Sequence, residues 1–541
     1  MNSPKQTASQ MLAAHLMAQL TALGCEQIFL APGSRSQALA IAAAQLADAG
    51  RLKLTVRLDE RSLGFQALGA AVASGRPVGV ITTSGTAVAN LHPAVLEAHH
   101  SGVPLILLTA DRPHELRGVG ANQTTNQVGI FSDAIRGCLD IAAADDSEID
   151  ELAAFAEQLA VDAWRLAVGT HEASELGSGP VQLNLGFREP LSSAEPNAAE
   201  VLGSLQTRAE RLAPAAGSRD QGSTDIDLRI PTVIIAGSQA LAGIAARLPG
   251  VPVIAEPSSG ARHGDAGLLH YRTVLAEHPE LVSQIRRVVV TGKPTLARQV
   301  LALLRLPEVE VLVIDSPHGH FDVAHNARQV SANFNVTGAA KPEWLEAFKA
   351  ADAAAQAATA RSLDLAAAPD RRSLIQAVYA ATAATDSIVL GASRLIREAE
   401  TWAPAGTARV WANRGLAGID GTIATAIGFA SGSAAGSVTR ALMGDLTFLH
   451  DAGSLAQAPA EPAANLQIIV GNDSGGTIFE SLEVSSQVES TLFDRIFRTP
   501  QTASIGELAK AYGWQYIAPK TQTELESALE TSGRVVIEVA L

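Results

Sequence analysis

Cysteine is scarce in this chain of 541 residues, which contains only Cys25 and Cys138. Two cysteines without a Cys-x-x-Cys pair argue against a disulfide framework and against a zinc site built from cysteines. Residues 1–7 lead directly into an amphipathic Ala/Leu helix, so no secretory signal peptide is predicted. Both features predict a protein of the reducing cytoplasm.

Long apolar runs are also lacking. The longest stretch without Asp, Glu, Lys, Arg or His, 421–439, is rich in Gly, Ser and Thr, whereas a membrane-spanning helix needs ~20 predominantly apolar residues. We therefore expect no stable membrane insertion.

Basic residues are outnumbered by acidic ones, and the formal net charge is −15. An acidic surface argues against nucleic acid and anionic membranes as partners. Aromatic residues make up only 4% of the chain, although 47% of it is apolar, so Ala, Val, Leu and Ile must form the interior. This composition is typical of a soluble α/β enzyme, and any anionic substrate must be bound by locally clustered arginines.

Short β-branched segments that end in Gly, Ser or Asp alternate with Ala/Leu-rich segments of helical spacing, and this arrangement occurs in three blocks. The pattern predicts an α/β fold of three domains, each with a parallel sheet flanked by helices. The chain is also too long for one hydrophobic core. The predicted strands are 26–30, 52–57, 78–82 and 104–109 in the first block, 231–236, 251–254, 287–291 and 309–314 in the second, and 387–391, 408–411, 438–443, 466–470 and 534–539 in the third.

These blocks predict a first domain over 1–191, a middle domain over 229–350 and a third domain over 370–541. The periodicity fades over 192–228 and in the Ala-rich stretch 351–369, which predicts two linkers. Ligands of open α/β sheets collect at the carboxyl ends of the strands. The polar turns that follow the predicted strands are therefore the candidate sites.

Two acidic motifs follow strands of the third block. Gly444-Asp445-Leu446 comes after 438–443, and Asn472-Asp473 comes after 466–470. Neighbouring parallel strands bring such turns together, and hard cations such as Mg²⁺ or Ca²⁺ take oxygen ligands that they share with phosphate. The residues alone leave two interpretations open, a metal-diphosphate site or ordinary turn chemistry.

Three other features have structural alternatives. Glu60 begins a helix, where an acidic residue commonly interacts only with the helix dipole, but a buried catalytic carboxylate is the other interpretation. Arg112 is either a substrate cation or the ion-pair partner of Asp111. The histidines His99, His100, His318, His320 and His325 lack the spacing with acids or cysteines that a transition-metal site requires, so structural or surface roles are favoured.

Several motifs, in order along the chain, resemble the thiamine diphosphate-dependent enzymes and, among them, the 2-succinyl-5-enolpyruvyl-6-hydroxy-3-cyclohexene-1-carboxylate synthases of menaquinone biosynthesis. In the first block they are Pro32-Gly33-Ser34-Arg35-Ser36, Asp59-Glu60-Arg61-Ser62, Thr83-Ser84-Gly85-Thr86-Ala87, Leu108-Thr109-Ala110-Asp111-Arg112-Pro113, Gly120-Ala121-Asn122-Gln123 and Phe187-Arg188-Glu189-Pro190-Leu191. In the third block they are Asn413-Arg414-Gly415, Gly418-Ile419-Asp420-Gly421, the two acidic motifs, Gly475-Gly476 and Ile478-Phe479. The resemblance is weak across the second block, and it has two departures, because Leu446 replaces the usual third Gly and Asp473 stands where Asn is commoner.

The resemblance implies a thiamine diphosphate-binding fold, in which a pyrimidine-binding first domain and a diphosphate-binding third domain flank a Rossmann-like middle domain. It implies a transferase that decarboxylates 2-oxoglutarate, adds the succinyl carbanion to isochorismate in a Stetter-like 1,4-addition, and releases CO₂. It also implies a homodimer or homotetramer with active sites at subunit interfaces. The alternatives are another thiamine diphosphate-dependent 2-oxo-acid decarboxylase, an acetohydroxyacid-type synthase, or a catalytically silent binding module that kept the fold.

The resemblance also implies roles for individual residues. Glu60 would hydrogen-bond the pyrimidine ring of the cofactor. Guanidinium groups bind carboxylates bidentately and stay charged when partly buried, as two dianionic substrates require. The implied substrate-site residues are Arg35, Arg112, Asn122, Gln123, Ser393, Arg397 and Arg414, with Arg298 as a further cation from the middle domain.

For the other end of the cofactor, the implied ligands of Mg²⁺, with Mn²⁺ as the alternative ion, are the side chains of Asp445 and Asp473 and the backbone carbonyl of Gly475. Ser393 and Arg397 are spaced to share one face of a helix that starts near Ser393. The remaining implied cofactor contacts are Pro32, Ser34, Thr83, Gly85, Ile419, Gly444, Leu446, Gly476, Ile478, Phe479 and Leu482.

Overall fold

The computed structural model describes residues 6–171, 176–209, 224–314 and 321–541. In these ranges the chain forms three six-stranded sheets and one two-stranded sheet, with helices between the strands. The strands are β1 (Gln27–Leu30), β2 (Lys53–Val56), β3 (Val78–Thr82), β4 (Leu105–Asp111), β5 (Cys138–Ile141), β6 (Val181–Gly186), β7 (Asp225–Asp227), β8 (Thr232–Ala236), β9 (Val253–Ala255), β10 (Gly267–Leu268), β11 (Arg287–Thr291), β12 (Glu310–Ile314), β13 (Ala327–Val330), β14 (Asn335–Thr337), β15 (Ser387–Leu390), β16 (Arg409–Ala412), β17 (Thr439–Gly444), β18 (Leu466–Asn472), β19 (Gln515–Ile517) and β20 (Arg534–Ala540).

The helices follow the strands in the alternation that the sequence predicts. They are α1 (Ala8–Leu23), α2 (Gln37–Asp48), α3 (Glu60–Ser74), α4 (Thr86–Asn90), α5 (His92–His100), α6 (Ile149–Val168), α7 (Ala198–Ala209), α8 (Ile244–Arg247), α9 (Tyr271–Glu277), α10 (Pro279–Val282), α11 (Arg298–Leu304), α12 (Pro342–Ala358), α13 (Arg371–Ala380), α14 (Arg394–Trp402), α15 (Thr422–Gly432), α16 (Asp445–His450), α17 (Val484–Gln487), α18 (Ser490–Phe493), α19 (Ile505–Ala511) and α20 (Gln522–Ala528).

The first and third large sheets share one topology. Their strand orders are β2-β1-β3-β4-β6-β5 and β16-β15-β17-β18-β20-β19, which become the same order when each sheet is numbered from its own first strand. All the ladders in these sheets are parallel. The α/β prediction is therefore confirmed, and the two blocks that carry the motifs are topological repeats.

The middle sheet has a different order, β10-β9-β8-β11-β12-β13. Numbered from its own first strand, this is the 3-2-1-4-5-6 order of dinucleotide-binding sheets. The predicted Rossmann-like character of the middle block is confirmed in this respect. The strand order reverses between β8 and β11, so the turns after these two strands lie at the topological switch point.

The chain divides into two compact units. One contains Met1–Ser218 with Ile423–Ser433 and Gly453–Ala463, and the other contains Arg219–Thr422, Ala434–Ala452 and Ala464–Leu541. The first sheet lies in the first unit, and the middle and third sheets lie together in the second. The residue boundaries of the three predicted domains stay predictions.

The predicted linkers contain regular structure. Within 192–228, α7 buries Val201, Leu202 and Leu205 in the same core as α1, and β7 pairs with β14. The apolar spacing of α7 is helical, but the surrounding Pro, Gly and Ser residues obscured it. Residues 210–223 of this linker lie outside the described residues, and α12 extends to Ala358 in the second linker.

Some strands escaped sequence reasoning. Strand β5 is partly exposed, β10 is very short and β13 has only one buried residue, so their apolar patterns are weak. By contrast, β3, β4 and β6 are buried along their whole length, as expected for a parallel sheet covered on both faces. No helix in the described part of the chain is long and apolar enough to cross a membrane.

Within the first unit, α3 packs closely against the segment Ile423–Ser433. A Cβ atom added to Gly69 would overlap the carbonyl oxygen of Thr425, and one added to Gly428 would overlap that of Gln66. The two backbones therefore approach at distances that only glycine allows. This contact holds α3, which begins with Glu60, against a helix of the third block.

We predict that Gly428→Ala destabilises the protein by about 1–3 kcal/mol, because the added methyl group forces the two helices apart. The matched control is Gly203→Ala in α7, where a Cβ atom would meet nothing within 4 Å and helix propensity favours Ala by up to ~1 kcal/mol. Urea unfolding followed by circular dichroism measures both changes. Equal stability of the two variants would contradict the close packing.

Candidate active site

The first group of candidate residues lies at the carboxyl ends of β1, β3, β4 and β6. Gly33, in the turn after β1, abuts the side chain of Thr83 so closely that a Cβ atom at Gly33 would overlap it. Ser84 is fully buried, whereas Pro32 and Ser34 are exposed. The structure therefore brings the predicted turns after β1 and β3 together at one edge of the sheet.

Two arginines of this edge lie close to each other. The Nη1 atom of Arg35 donates to the Phe187 carbonyl oxygen at 3.0 Å. The Nη1 atom of Arg112 donates to Ser84 Oγ at 2.8 Å and to the Gln123 carbonyl oxygen at 3.1 Å. Burial and the positive charge of Arg112 lower the pKa of Arg35. Both arginines therefore lie at this edge of the first sheet, and their shared role in binding substrate stays a prediction.

The alternative of an Arg112–Asp111 ion pair is wrong. The Asp111 carboxylate accepts the backbone N–H of Arg112 at 2.8 Å, and its other oxygen pairs with the Arg117 guanidinium at 3.1 Å. Arg117 also pairs with Asp140 at 2.9 Å. Arg117 can reach both acids because its side chain runs back towards β4 and β5, which leaves the Arg112 side chain to the turn of Ser84.

Gln123 lies against the turn after β3. Its Nε2 atom donates to the Ser84 carbonyl oxygen at 3.1 Å, and its own carbonyl oxygen accepts from Ser84 Oγ at 2.8 Å. The backbone N–H of Gly85 is bound by Gln127 Oε1 at 2.9 Å. Gln123 therefore joins the cluster through backbone contacts, while the neighbouring Asn122 is exposed.

Glu60 is the first residue of α3 but not its cap. Asp59 is the cap residue, and its carboxylate accepts from the backbone N–H groups of Arg61 and Ser62. Glu60 is only partly buried, and its Oε2 atom accepts from Asn90 Nδ2 at 3.4 Å. Glu60 and Arg61 are partly buried while Ser62 and Leu63 are buried, and the role of Glu60 as a buried catalytic carboxylate stays a prediction.

The second group lies at the ends of β17 and β18, which pair in register up to Gly444 and Gly471. Asp445 is 5% exposed, and its Oδ2 atom accepts from the backbone N–H of Gly475 at 2.8 Å. Burial, followed by the negative charge of Asp473, raises the pKa of Asp445. The two acidic motifs are therefore brought together, as their spacing predicts.

Asp473 is held by cationic and neutral donors. Arg371, the first residue of α13, donates to Asp473 Oδ2 at 2.7 Å, and the Thr477 hydroxyl donates to the same oxygen. Asn472, by contrast, donates to Glu538 Oε1 at 2.7 Å. Arg371 thus neutralises part of the extra charge that Asp brings where Asn is commoner, and the sequence gave no signal for this pair.

Gly475 has a φ of 126°, and a Cβ atom there would overlap the Arg498 carbonyl oxygen. The same oxygen accepts from the Gly476 N–H at 2.7 Å. Only glycine fits this backbone path. Beside it, Phe479 packs against Phe497 with ring centroids 5.8 Å apart. The other apolar residues assigned to the cofactor are partly buried, namely Ile419, Leu446, Ile478 and Leu482.

Ser393 precedes α14 as its cap residue, with its Oγ atom accepting from the Leu395 N–H at 3.2 Å. It also lies beside Gly444, where a Cβ atom would come within 3.4 Å of the Ser393 Cβ. Arg397 is exposed and donates to the Leu296 carbonyl oxygen at 3.3 Å. The helix starts beside Ser393, as predicted, and the Ser393 hydroxyl is used by its cap, while the shared face of Ser393 and Arg397 stays a prediction.

Arg414 is 7% exposed, and its Nε and Nη2 atoms donate to Thr295 Oγ1 at 2.9 and 2.7 Å. The residue of the middle block that meets this cation is therefore Thr295. Arg298, the predicted further cation, begins α11 and is exposed. Sequence reasoning missed Thr295 because a threonine in a turn gives no signal of its partner.

Comparison with known proteins agrees with this arrangement. Residues 10–130 match a family model described as "Thiamine pyrophosphate enzyme, N-terminal TPP binding domain". Similar curated proteins include the 2-succinyl-5-enolpyruvyl-6-hydroxy-3-cyclohexene-1-carboxylate synthases of Leifsonia xyli subsp. xyli, 45% identical over 97% of this chain and 95% of its own length, and of Clavibacter michiganensis subsp. michiganensis, 44% identical over 97% and 95%. The chain belongs to this synthase family.

Membership of the synthase family makes the chain a thiamine diphosphate-dependent enzyme. The residues that follow β17 and β18 fit a hard cation, because Asp445 and Asp473 offer carboxylate oxygens. They also fit a diphosphate, because Gly475 has no side chain to block its approach to the backbone. Among the described residues, no group of three His, Cys, Asp or Glu side chains can hold a metal. A hard cation bound by the two carboxylates would complete its shell with oxygens of other kinds, such as backbone carbonyl, water or phosphate oxygens.

The histidines are consistent with structural roles where they are described. His99 Nδ1 lies 2.9 Å from Arg136 Nη1, and burial together with this arginine lowers the pKa of His99. His318 and His320 lie outside the described residues.

We predict that Asp445→Asn raises the apparent melting temperature of the cofactor-free protein near pH 8. The pKa of Asp445 is raised in the folded state, so the ionised carboxylate disfavours folding above that pKa, and the penalty disappears as the pH falls towards the ordinary value of about 4. The gain should therefore shrink as the pH falls through the raised pKa of Asp445 towards the ordinary value. The Asn side chain keeps an acceptor for the Gly475 N–H.

Asp386→Asn is the control of opposite sign. Burial raises the pKa of Asp386, but hydrogen bonds from the Val438 N–H and the Arg440 guanidinium outweigh it and leave the pKa lowered. This variant should lower the melting temperature near pH 8. Differential scanning calorimetry across pH measures the melting temperatures of both variants. A lower melting temperature of Asp445→Asn near pH 8 would contradict the inference that the ionised Asp445 carboxylate disfavours folding.

Proposed function

We propose that this enzyme catalyses the decarboxylation of 2-oxoglutarate and the 1,4-addition of the resulting succinyl group to isochorismate, which yields 2-succinyl-5-enolpyruvyl-6-hydroxy-3-cyclohexene-1-carboxylate and CO₂ in menaquinone biosynthesis. The observation that carries the proposal is near full-length similarity to synthases of that name. Thiamine diphosphate, when bound, supplies the electron sink for decarboxylation. The protein supplies binding, orientation and charge.

The substrate anions are proposed to bind the arginines at the strand ends. Both substrates carry two negative charges, and guanidinium groups bind carboxylates bidentately without losing their charge. Arg35 and Arg112 provide a cation pair in the first unit, and Arg397 and Arg414 provide two cations in the second. Neutral donors and acceptors assigned to the same role are Ser34, Asn122, Gln123 and Ser393.

Glu60 is proposed to hold the pyrimidine ring of the cofactor through a hydrogen bond. Its partly exposed position in the first turn of α3 leaves the carboxylate accessible to a ligand. Contacts from the turns of Pro32, Thr83 and Gly85 complete this end of the site. The carboxylate would orient the ring and hold the proton that the ring exchanges.

At the other end, the proposed ligands of Mg²⁺, or of Mn²⁺, are Asp445, Asp473 and the Gly475 carbonyl. A cation held by these ligands would offset the negative charge of Asp473, which together with the larger effect of burial raises the pKa of Asp445. Gly444 and Gly476 allow a diphosphate to approach the backbone. Leu446, Ile419, Ile478, Phe479 and Leu482 supply apolar contacts.

The middle sheet bears on the acetohydroxyacid-type alternative, whose members commonly carry FAD in the middle domain. In this chain the turns after β8 and β11 pair with each other through Ser238 and Lys293. These turns occupy the topological switch point, where a dinucleotide would otherwise bind. The backbone pairing of these two turns therefore favours the synthase function over the acetohydroxyacid-type alternative with FAD.

The reaction is tested by CO₂ release and product mass with thiamine diphosphate, Mg²⁺, 2-oxoglutarate and isochorismate, omitting each in turn. We expect the adduct only when all four are present. Turnover of pyruvate in place of the two substrates would instead support the decarboxylase or acetohydroxyacid alternative. Calorimetry that finds no binding of thiamine diphosphate with Mg²⁺ would favour the silent binding module.

We further propose a cytoplasmic homodimer or homotetramer in which each active site takes Glu60 from one subunit and Asp445 from the other. This arrangement rests on the family resemblance. The acidic net charge of −15 fits a protein without nucleic-acid partners.

We predict that Glu60→Gln and Asp445→Asn are each nearly inactive, with Glu60→Gln still binding the cofactor. Mixed oligomers of the two variants should regain up to about half of wild-type activity, because one shared site per pair receives both intact residues. Co-expression with two different tags and tandem purification isolates the mixed species. Inactive mixed oligomers would contradict the shared site, and an active monomer in light scattering would contradict the oligomer.

A further inference from the structure

A buried carboxylate of the middle sheet binds the turn that meets two of the proposed substrate arginines. Glu256 follows β9 and is 1% exposed. Its Oε1 atom accepts from the backbone N–H groups of Thr295 and Leu296 at 2.6 and 2.7 Å. Its Oε2 atom is buried without a hydrogen bond. Burial raises the pKa of Glu256 to about 7, although the two N–H groups and Arg414 act against this rise.

The residues bound by Glu256 are the ones that contact the arginines. Thr295 Oγ1 accepts two hydrogen bonds from the Arg414 guanidinium, and the Leu296 carbonyl oxygen accepts one from Arg397. In the same turn, Lys293 Nζ donates to the Gly415 carbonyl oxygen at 2.5 Å. One short segment of the middle block therefore contacts both arginines and the backbone next to Arg414.

The start of this segment is fixed from its other side. Ser238 and Lys293 exchange backbone hydrogen bonds of 3.1 and 2.9 Å. A Cβ atom on Gly237 would overlap the Lys293–Pro294 peptide, and one on Gly292 would overlap the Ser238 carbonyl oxygen. Gly292 also has a φ of 67°. The segment is thus clamped at Lys293 by backbone packing and at Thr295 and Leu296 by Glu256.

A buried carboxylate with one oxygen unbonded is costly unless nearby positive charge compensates it. The Arg414 charge opposes the rise in the pKa of Glu256, but the negative charge of Glu400 adds to it. Glu256 therefore acts on Arg414 through the hydrogen bonds that fix the Thr295 turn. It acts on Arg397 through the same turn.

We propose that Glu256 is a positioning residue for substrate binding, which fixes the Thr295–Leu296 turn and thereby orients Arg414 and Arg397 towards the dianionic substrates. This inference rests on the proposed function. It assigns the middle block a role in the reaction, namely to hold cations that belong to the third block.

Three variants test the proposal in the full-length enzyme with thiamine diphosphate and Mg²⁺. Thr295→Val removes the hydroxyl acceptor with little change of shape, Thr295→Ser restores it, and Glu256→Gln keeps an oxygen acceptor but removes the charge. We expect Thr295→Val and Glu256→Gln to raise KM for 2-oxoglutarate or isochorismate about tenfold, with kcat changed less than about twofold. Thr295→Ser should resemble the wild type.

The matched control is Asp352→Asn, since Asp352 likewise accepts from two consecutive backbone N–H groups, those of Leu269 and His270, at 3.2 and 2.6 Å. It should lower the melting temperature and leave both KM values unchanged. Thiamine diphosphate affinity, measured by calorimetry, should be equal in all variants, which separates positioning of the arginines from general damage to the site.

The positioning role of Glu256 would be overturned if Thr295→Val and Glu256→Gln kept wild-type KM values for both substrates. It would also be overturned if these two variants lost only thermal stability, as Asp352→Asn is expected to do. In either case the wild-type enzyme still forms product, so the proposed function stands. A wild-type enzyme that forms no adduct in the omission assay would refute the proposed function, and with it the substrate role of this turn.

Discussion

Two negative charges at the ends of adjacent parallel strands are the constraint on which the rest of the cofactor site depends. The register of β17 and β18 brings the Asp445 and Asp473 motifs to the same edge of the sheet, where burial and then the negative charge of Asp473 raise the pKa of Asp445. The chain stabilises the pair with the Gly475 N–H on one side and with Arg371 and Thr477 on the other. An arrangement that is unfavourable in the protein alone is suited to a divalent cation, whose charge would offset both carboxylates.

The candidate substrate arginines provide local positive charge in a chain whose net charge is negative. Neutral acceptors bind each of them: a carbonyl oxygen for Arg35 and Arg397, a hydroxyl for Arg414, and one of each for Arg112. Arg35 also lies 4.0 Å from the exposed Glu189 carboxylate. Asp111, the nearest acid to Arg112 in sequence, is paired with Arg117 instead. A neutral acceptor fixes the direction of a guanidinium group without cancelling its charge, so the positive potential stays available to anionic substrates. The middle sheet takes part through Thr295 and Glu256.

Much of this architecture follows from local patterns. Apolar runs predicted most of the buried strands but not β6, whose run is interrupted by Gln182 and Asn184. The polar turns after the predicted strands indicated the edge of each sheet where the candidate residues lie. The pairing of Asp445 with Asp473 was predictable because neighbouring parallel strands end at the same edge. Strand β5 and helix α7 were missed because a partly exposed edge strand and a helix flanked by Pro and Gly carry weak patterns. The partial exposure of Glu60 could not be predicted, because a sequence does not show which helix ends meet solvent.

The sequence by itself determined the α/β class, the order of the motifs and the chemical type of each candidate residue, because periodicity and turn chemistry are properties of adjacent residues. Only the tertiary structure decided which side chains meet. Arg371 donates to Asp473 from a helix that is distant in sequence. Asp111 forms its ion pair with Arg117 and not with the adjacent Arg112. Glu256 accepts a hydrogen bond from the backbone of Thr295. Such partners depend on the crossing of elements distant in the chain, and no local pattern encodes that geometry.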